Sequence, residues 1–360
     1  MRRFFKGLGI AMLALVCAAA VLLAVLSAAE YRPSPVEAVD PEGAADAVLP
    51  SNGEITVLTW NTGYGALGDN ADFFMDGGTG VKTADTARLN ANTGGILETV
   101  RELDPDLLFL QEVDRNSDRS ERVDQAALYA AALEGRQWAY APNYRALYVP
   151  FPVPPIGRVE SGIVTFSRYR IASAVRESLP CPFAWPIRMA NLKRCLLVTR
   201  IPADDGKELV AVNLHLEAYD SGEGKEEQTR VLAEFLHREA EKGNYVLAGG
   251  DFNQIFSSED VARFTAREGL WSPGEIDVDS FGSGFQFLMD ERVPTCRSLD
   301  RPYAGADQDR FQYYLIDGFI ASDNLEILSA ETLDRGFVCT DHNPVLLRIR
   351  LLRSGGSGNP

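Results

Sequence analysis

Asp106-Leu-Leu-Phe-Leu-Gln-Glu112 is the segment that most restricts the fold of this chain. Its apolar run leaves both faces of a strand dry, so both faces need cover. Such a strand belongs inside a layered protein, with other elements above and below it. The run then ends in Gln111 and Glu112. A charge at the end of a buried strand calls for solvent, a partner or a metal ion.

The same grammar recurs. Tyr245-Val-Leu-Ala runs into Gly249 and Gly250, and then Asp251 and Asn253 follow two residues apart. In extended chain, residues i and i+2 project from one face. The two glycines allow another backbone or a ligand to come close. Glu54 to Asn61 is a strand that ends in an amide. Leu209 to Glu217 alternates, with Asn213, His215 and Glu217 on one face and Val210, Val212, Leu214 and Leu216 on the other. Tyr313 to Ile320 is a buried strand holding Asp317, and Thr340-Asp341-His342 precedes a last strand, Val345 to Leu351.

Helical spacing appears at Thr86–Leu103, with Leu89, Ile96, Leu97 and Val100 on one stripe and Asp104-Pro105 as the stop. Residues 119–134 and 224–241 are further expected helices. Strands are expected at 161–168, 170–175, 195–201 and 325–333. The proline-rich stretch 143–158 and the polar stretch 255–310 read as irregular. Strand–helix–strand alternation makes the domain α/β.

The first thirty residues are a targeting segment. Arg2, Arg3 and Lys6 precede an apolar run from Leu8 to Ala29, long enough to span a bilayer. The basic flank would stay in the cytoplasm and everything after about Glu30 would lie outside. Residues 1–29 are therefore expected to be an uncleaved anchor in preference to a cleaved signal peptide, which would leave a secreted protein. Residues 30–53 read as a flexible linker, 54–352 as one catalytic domain, expected to be monomeric, and 353–360 as a flexible tail. The four cysteines beyond the anchor suggest disulfides outside the cytoplasm, with Cys181–Cys195 and Cys296–Cys339 favoured by proximity. The net charge of −16 argues against a broad duplex-DNA footprint.

Asn61, Glu112, His215, Asp251, Asn253, Asp317, Asp341 and His342 thus gather at strand ends. Burying such groups without a shared ligand would cost on the order of 2–7 kcal/mol each. Two of only three histidines belong to this set; the third, His237, sits on a charged helix surface. No GxSxG elbow, Walker A loop or HExxH motif is present.

The stretches Thr59-Trp-Asn61, Leu110-Gln-Glu112, Asn213-Leu-His215, Gly250-Asp-Phe-Asn253, Ile316-Asp317 and Thr340-Asp-His342 together resemble the endonuclease/exonuclease/phosphatase family, in the family's order. The resemblance implies a four-layer α/β sandwich, two mixed β-sheets packed face to face with helices outside. It also implies a Mg²⁺ or Mn²⁺ site at the strand ends.

Glu112 is then the expected metal ligand, with Asn61 beside it and Asp341 within reach. His342 is the expected base for an attacking water, and Asp317 would hold its imidazole. Asp251 would orient the water or a second metal. Asn253 and His215 would donate to phosphoryl oxygens. His215 is alternatively the acid for the leaving group, oriented by Glu217 or Glu160. The expected substrate is a phosphate ester, whether nucleic acid, phospholipid headgroup or small phosphorylated molecule. Trp60, Tyr64, Phe73 and Phe74 would stack a base, touch an acyl chain or fill the core. The alternative is an inactive binding or adhesion domain on the same fold.

Overall fold

The computed structural model describes residues 2–261, 263–264 and 266–352; the expected tail lies outside them. The chain opens with helix α1, Arg2–Ala28, and the short strands β1, Val36–Val39, and β2, Glu42–Gly43. Strand β3, Glu54–Asn61, leads to α2, Thr86–Leu103, and β4, Leu107–Asp114. After α3, Gln125–Ala132, come β5, Gln137–Val149, β6, Gly157–Ser167, β7, Ser173–Ser178, β8, Cys195–Pro202, and β9, Glu208–His215. Helix α4, Glu223–Glu241, precedes β10, Tyr245–Asp251. The short strands β11, Gln254–Phe256, and β12, Gly274–Ile276, pair with each other. Strand β13, Phe285–Leu288, follows; β14, Cys296–Arg297, then pairs with β15, Tyr313–Tyr314. The chain closes with β16, Asp317–Ser322, β17, Leu325–Thr332, and β18, Val345–Leu351.

Two mixed seven-stranded sheets result, ordered β1-β7-β8-β9-β10-β16-β13 and β17-β18-β3-β4-β6-β5-β2. Alternation builds the layers. Leu209, Ala211 and Leu247 face Ile55, Val57 and Leu107 between the sheets. Val210, Val212 and Val246 turn the other way, against Leu232, Phe235 and Leu236 of α4. On the far side, Leu58, Leu108 and Leu110 meet Ile96 and Val100 of α2 and Tyr129 of α3. That is the expected four-layer α/β sandwich. Each fully buried large apolar side chain contributes roughly 1.5–3 kcal/mol. Polar stitches cross the middle too: Asn213 donates to the carbonyls of Leu110 and Val164 at 3.2 and 2.9 Å and accepts from Gln111 at 2.8 Å.

The glycines of β10 serve the neighbouring backbone and a ring. A Cβ at Gly250, whose φ is +151°, would stand 2.0 Å from the Leu214 carbonyl oxygen. At Gly249 it would meet the Phe319 ring at 2.4 Å.

Several expectations need correction. Residues 30–53 are not a free linker: β1 pairs with β7, β2 pairs with β5, and Leu49 is fully buried. Their polar composition suits short edge strands, which need only one apolar face. The irregular span 143–158 shrinks to the turn between β5 and β6. Pro142 fits inside β5 because the ladder shifts register between Pro142 and Tyr144. The helix expected at 119–134 is confined to Gln125–Ala132, capped where Asp124 accepts from the Ala127 amide at 2.9 Å. The strand expected at 313–320 is broken between Tyr314 and Asp317. All five cysteines are free. Cys339 packs on α2, where a Cβ at Gly95 would meet its Sγ at 2.4 Å, while Cys296 is buried beside Tyr314 and Ile316. Closeness in sequence is not closeness in space.

Candidate active site

Register gathers the polar strand ends. Strands β9 and β10 run parallel, which sets His215 opposite Asp251. Strand β16 runs antiparallel to β10, so its first residue, Asp317, also faces Asp251. In the other sheet, β3 and β4 are parallel and Asn61 faces Gln111. Just beyond, β4 slips register between Leu110 and Val113, and Glu112 adopts a φ of +53°. This bulge turns the carboxylate out of the ladder. Asn253 holds a φ of +52°, so two expected site residues carry backbone strain of the kind that persists where surroundings impose it.

Asn61 joins the sheets. Its Nδ2 donates to Asp251 Oδ2 at 3.0 Å and lies 3.4 Å from Glu112 Oε1. Its own Oδ1 accepts from the Gly63 amide at 3.0 Å, which fixes the carboxamide. His342 Nδ1 lies 2.9 Å from Asp317 Oδ2. Its Nε2 stands 3.9 Å from Asp251 Oδ2, and His215 Nε2 stands 3.4 Å from the same oxygen. The Asn253 amide donates to Asp251 Oδ1 at 2.9 Å, and its side chain donates to the Leu216 carbonyl. Thr340 donates to Asp341 Oδ1 at 3.2 Å and lies 3.1 Å from the Asn61 carbonyl.

Electrostatics separate the groups. Burial pushes the Asp251 carboxyl up to about 7, helped by the charge of Asp317 and opposed by His342. Burial also raises Glu112, with Arg119 pulling the other way and Asp341 adding to the rise. For His342, burial favours the neutral ring, but Asp317, Cys296 and Asp341 together outweigh it and its pKa is raised well above the usual range. His215 goes the other way: burial, then Arg194 and His342, keep it neutral.

The acids fit a hard divalent cation. Glu112 Oε2 is buried without a hydrogen-bond partner, as is Asp317 Oδ1. Glu112 and Asp341 offer carboxylate oxygens, the donors Mg²⁺ or Mn²⁺ requires, and Asn61 carries a carboxamide oxygen with the lone pair that the Gly63 amide leaves. Asp251, Asp317 and His342 also lie close enough for one ion, as do Cys296, Asp341 and His342. In the first of these groups His342 Nδ1 is already joined to Asp317, and in the second a thiol is a poor Mg²⁺ ligand.

A cavity of about 670 Å³ opens over the site, with Asn61, Glu112, His215, Asp251, Asp341 and His342 at its floor. Asp317 stands behind His342. Arg119, Arg194 and Arg297 also reach the cavity, and none was expected from sequence. Arg119 grips Asp114 through two nitrogens at 3.1 and 3.0 Å and lies 3.7 Å over the Tyr64 ring. Asp114, two residues after Glu112, was the available sign of it. Asp76 and Tyr219 meet at the cavity wall, 3.1 Å apart, and burial followed by the charge of Asp341 lifts Asp76 to about 7. Glu217 Oε1 accepts from the amides of Ala218 and Tyr219 and its Oε2 lies 3.8 Å from Arg194 Nε, while Glu160 pairs with Arg158; neither is hydrogen-bonded to His215. Of the aromatics, Trp60 is core and donates to the His342 carbonyl at 2.9 Å, while Tyr64, Phe73 and Phe74 line the cavity. His237 is bonded to the Phe281 carbonyl, away from the site.

A layered sandwich whose strand ends gather acids, amides and imidazoles is the architecture of a phosphoesterase. Residues 58–342 match the model of the endonuclease/exonuclease/phosphatase family, and the chain belongs to that family. Members of the family are phosphoesterases that depend on a divalent metal. Among solved structures, the chain is similar to an endonuclease/exonuclease/phosphatase from Beutenbergia cavernae, with 18% identity, a TM-score of 0.54, and 83% of this chain and 72% of that one covered. It is also similar to a family protein from Leptotrichia buccalis, with 14% identity, a TM-score of 0.53, and 82% and 100% covered. The catalytic domain of human Nocturnin, solved with a bound sulfate anion, has 17% identity, a TM-score of 0.50, and 87% and 97% covered. No curated protein matches the chain in sequence.

Proposed function

We propose that this protein is a divalent-metal-dependent phosphoesterase that works outside the cytoplasm, held to the membrane by α1. The observation that carries the reading is the convergence of Asn61, Glu112 and, just before β18, His342 from one sheet on His215, Asp251 and Asp317 from the other. A sulfate in the Nocturnin domain agrees with a fold that takes a tetrahedral anion.

Glu112, Asn61 and Asp341 are the residues that would hold Mg²⁺ or Mn²⁺. When bound, the ion supplies positive charge to phosphoryl oxygens, which otherwise repel a nucleophile. Asp251, with a pKa near 7, takes the proton of the attacking water. Asn61 holds its Oδ2 and the Asn253 amide its Oδ1. This assignment replaces the expectation that His342 is the base. Paired with Asp317, His342 carries its proton and binds phosphoryl oxygen as an imidazolium. Neutral His215 has an unpartnered Nδ1 and donates a hydrogen bond or serves the leaving group. Asn253 keeps the end of β10 in place and offers its remaining amide hydrogen.

Helix α1 supports the anchor reading. Its apolar span, Arg3–Ala28, is long enough to cross a bilayer, and all of it before the last turn lies exposed. A cleaved signal sequence passes the same test, so the N-terminus of the mature protein decides between the two.

The enzymatic test uses the full chain in detergent with bis-p-nitrophenyl phosphate. Nitrophenol release that saturates with Mg²⁺ and stops with chelator is the expected result. A folded, metal-saturated protein with no turnover would leave the inactive binding domain as the better description.

A further inference from the structure

The catalytic cavity has a polar floor and an apolar rim, and part of that rim comes from α1. Leu23 and Leu26 line it, together with Phe74, Phe151, Ile187 and Met189. Leu26 is the buried residue of α1, whose other described side chains stay exposed or, at Ser27, half-exposed. The last turn of the helix is docked, not merely adjacent. Trp185 Nε1 donates to Ser27 Oγ at 3.1 Å, and Ser27 Oγ lies 3.0 Å from Met189 Sδ. Just beyond, Glu30 pairs with Arg188 at 3.1 Å and stands 3.7 Å from Lys193.

These contacts tie the end of a membrane-length apolar helix to the loop that walls the active site. The same edge exposes large apolar side chains that soluble surfaces avoid: Val153 is 92% exposed, Phe151 67% and Ile187 63%. Trp185 stands with them, a residue suited to the bilayer interface. If α1 spans a bilayer, its final turn brings this rim to the outer surface. The cavity of about 670 Å³ is the size of a small-molecule site.

We infer that the substrate is a phosphate-ester lipid of the membrane itself, its phosphate on the polar floor and its apolar tail along Phe74, Phe151, Ile187 and the end of α1. This rests on the phosphoesterase reading above. Water's oxygen bonds to phosphorus, the bond from phosphorus to one ester oxygen breaks, and the proton lost by water is balanced by the proton gained by the released alcohol. An anionic protein whose site lies behind an apolar rim is poorly matched to a polynucleotide, whose binding depends on a basic face.

The test reconstitutes the full chain in vesicles of phosphatidylcholine, phosphatidylglycerol and phosphatidic acid, with Mg²⁺. Hydrolysis of vesicle lipid is compared with that of soluble bis-p-nitrophenyl phosphate and of a single-stranded oligonucleotide. Lipid hydrolysis is expected. In Phe151→Asp and Ile187→Asp, the ratio of lipid to soluble-diester rate should fall at least about tenfold, the effect of losing one apolar contact. Phe151→Leu and Ile187→Leu should retain the ratio, which separates apolar contact from misfolding.

Independently, brominated acyl chains should quench the emission that Trp185→Phe removes. Turnover of the soluble diester without any lipid hydrolysis overturns the inference and spares the phosphoesterase reading. An unchanged ratio, faster cleavage of the oligonucleotide, or unquenched Trp185 does the same. No turnover of any substrate by folded, metal-loaded protein removes both.

Discussion

Asp251 and Asp317 stand directly opposite each other on antiparallel strands, and His342 reaches both, at 3.9 and 2.9 Å. Two buried carboxylates at this register would repel if both were ionised. The imidazolium answers that repulsion, while burial first, and the charge of Asp317 after it, still hold the Asp251 carboxyl up at about 7. Asp251 and His342 therefore titrate as a unit.

The pH profile should report that unit. In Asp251→Asn, turnover should drop by at least about 10²-fold, as for loss of a general base. The wild-type rate, as kcat/KM, should rise with pH as Asp251 gives up its proton near 7, with bound metal moving the limb lower. Measuring the profile in both proteins checks this. A variant that keeps the rising limb would show that another group is the base.

Asp317→Asn removes the acceptor that sustains the charge on His342. The imidazole pKa, followed by NMR in metal-free protein, should fall, because burial then acts with less opposition. Activity should fall by about 10²-fold with it. An unmoved His342 titration would make Asp317 a packing residue only.

Metal should stabilise the protein in a pH-dependent way. Glu112 and Asp251 ionise near pH 4 when the chain is unfolded, but burial raises both in the folded state, Asp251 to about 7. The folded protein therefore holds protons that the unfolded chain has released. The stability these groups confer is greatest at low pH and is lost as pH rises toward 7. Mg²⁺ favours the ionised forms, so it should raise Tm more at pH 8 than at pH 5. Glu112→Gln should shrink that difference. Equal shifts at both pH values, read by scanning fluorimetry, would place the ion elsewhere.

Gly250→Ala tests the backbone under the site. Its Cβ would meet the Leu214 carbonyl oxygen at 2.0 Å, and backbone cannot yield as a side chain can. A loss of about 3 kcal/mol or more is expected in denaturant melts, from strain and lost pairing between β9 and β10. Wild-type stability would mean the two strands are free to separate there.

The elements most legible in sequence were those whose own side chains dictate them. Helix α2 spans the expected residues because its stripe and its Asp104-Pro105 stop are local. Strands β3, β4, β10 and β18 follow from apolar runs. The edge strands β1 and β2 were illegible, because an edge needs little apolarity and takes its partner from far along the chain. The long β5 was hidden by Pro142, which only a register shift makes tolerable. Cysteine spacing misled, because distance in sequence does not measure distance across packed layers.

From the sequence alone came the identities of the acids, amides and imidazoles, and their positions at strand ends, since hydrophobic patterning fixes where a buried strand must stop. Only the folded chain decided which of them touch. Asn61 bridges Asp251 and Glu112, His342 leans on Asp317, Glu217 accepts from the amides of Ala218 and Tyr219, and Arg119 rises over Tyr64. The reason is physical. Proton affinities and the shape of a cavity arise from charges and walls brought together by register and packing, and no single segment contains them.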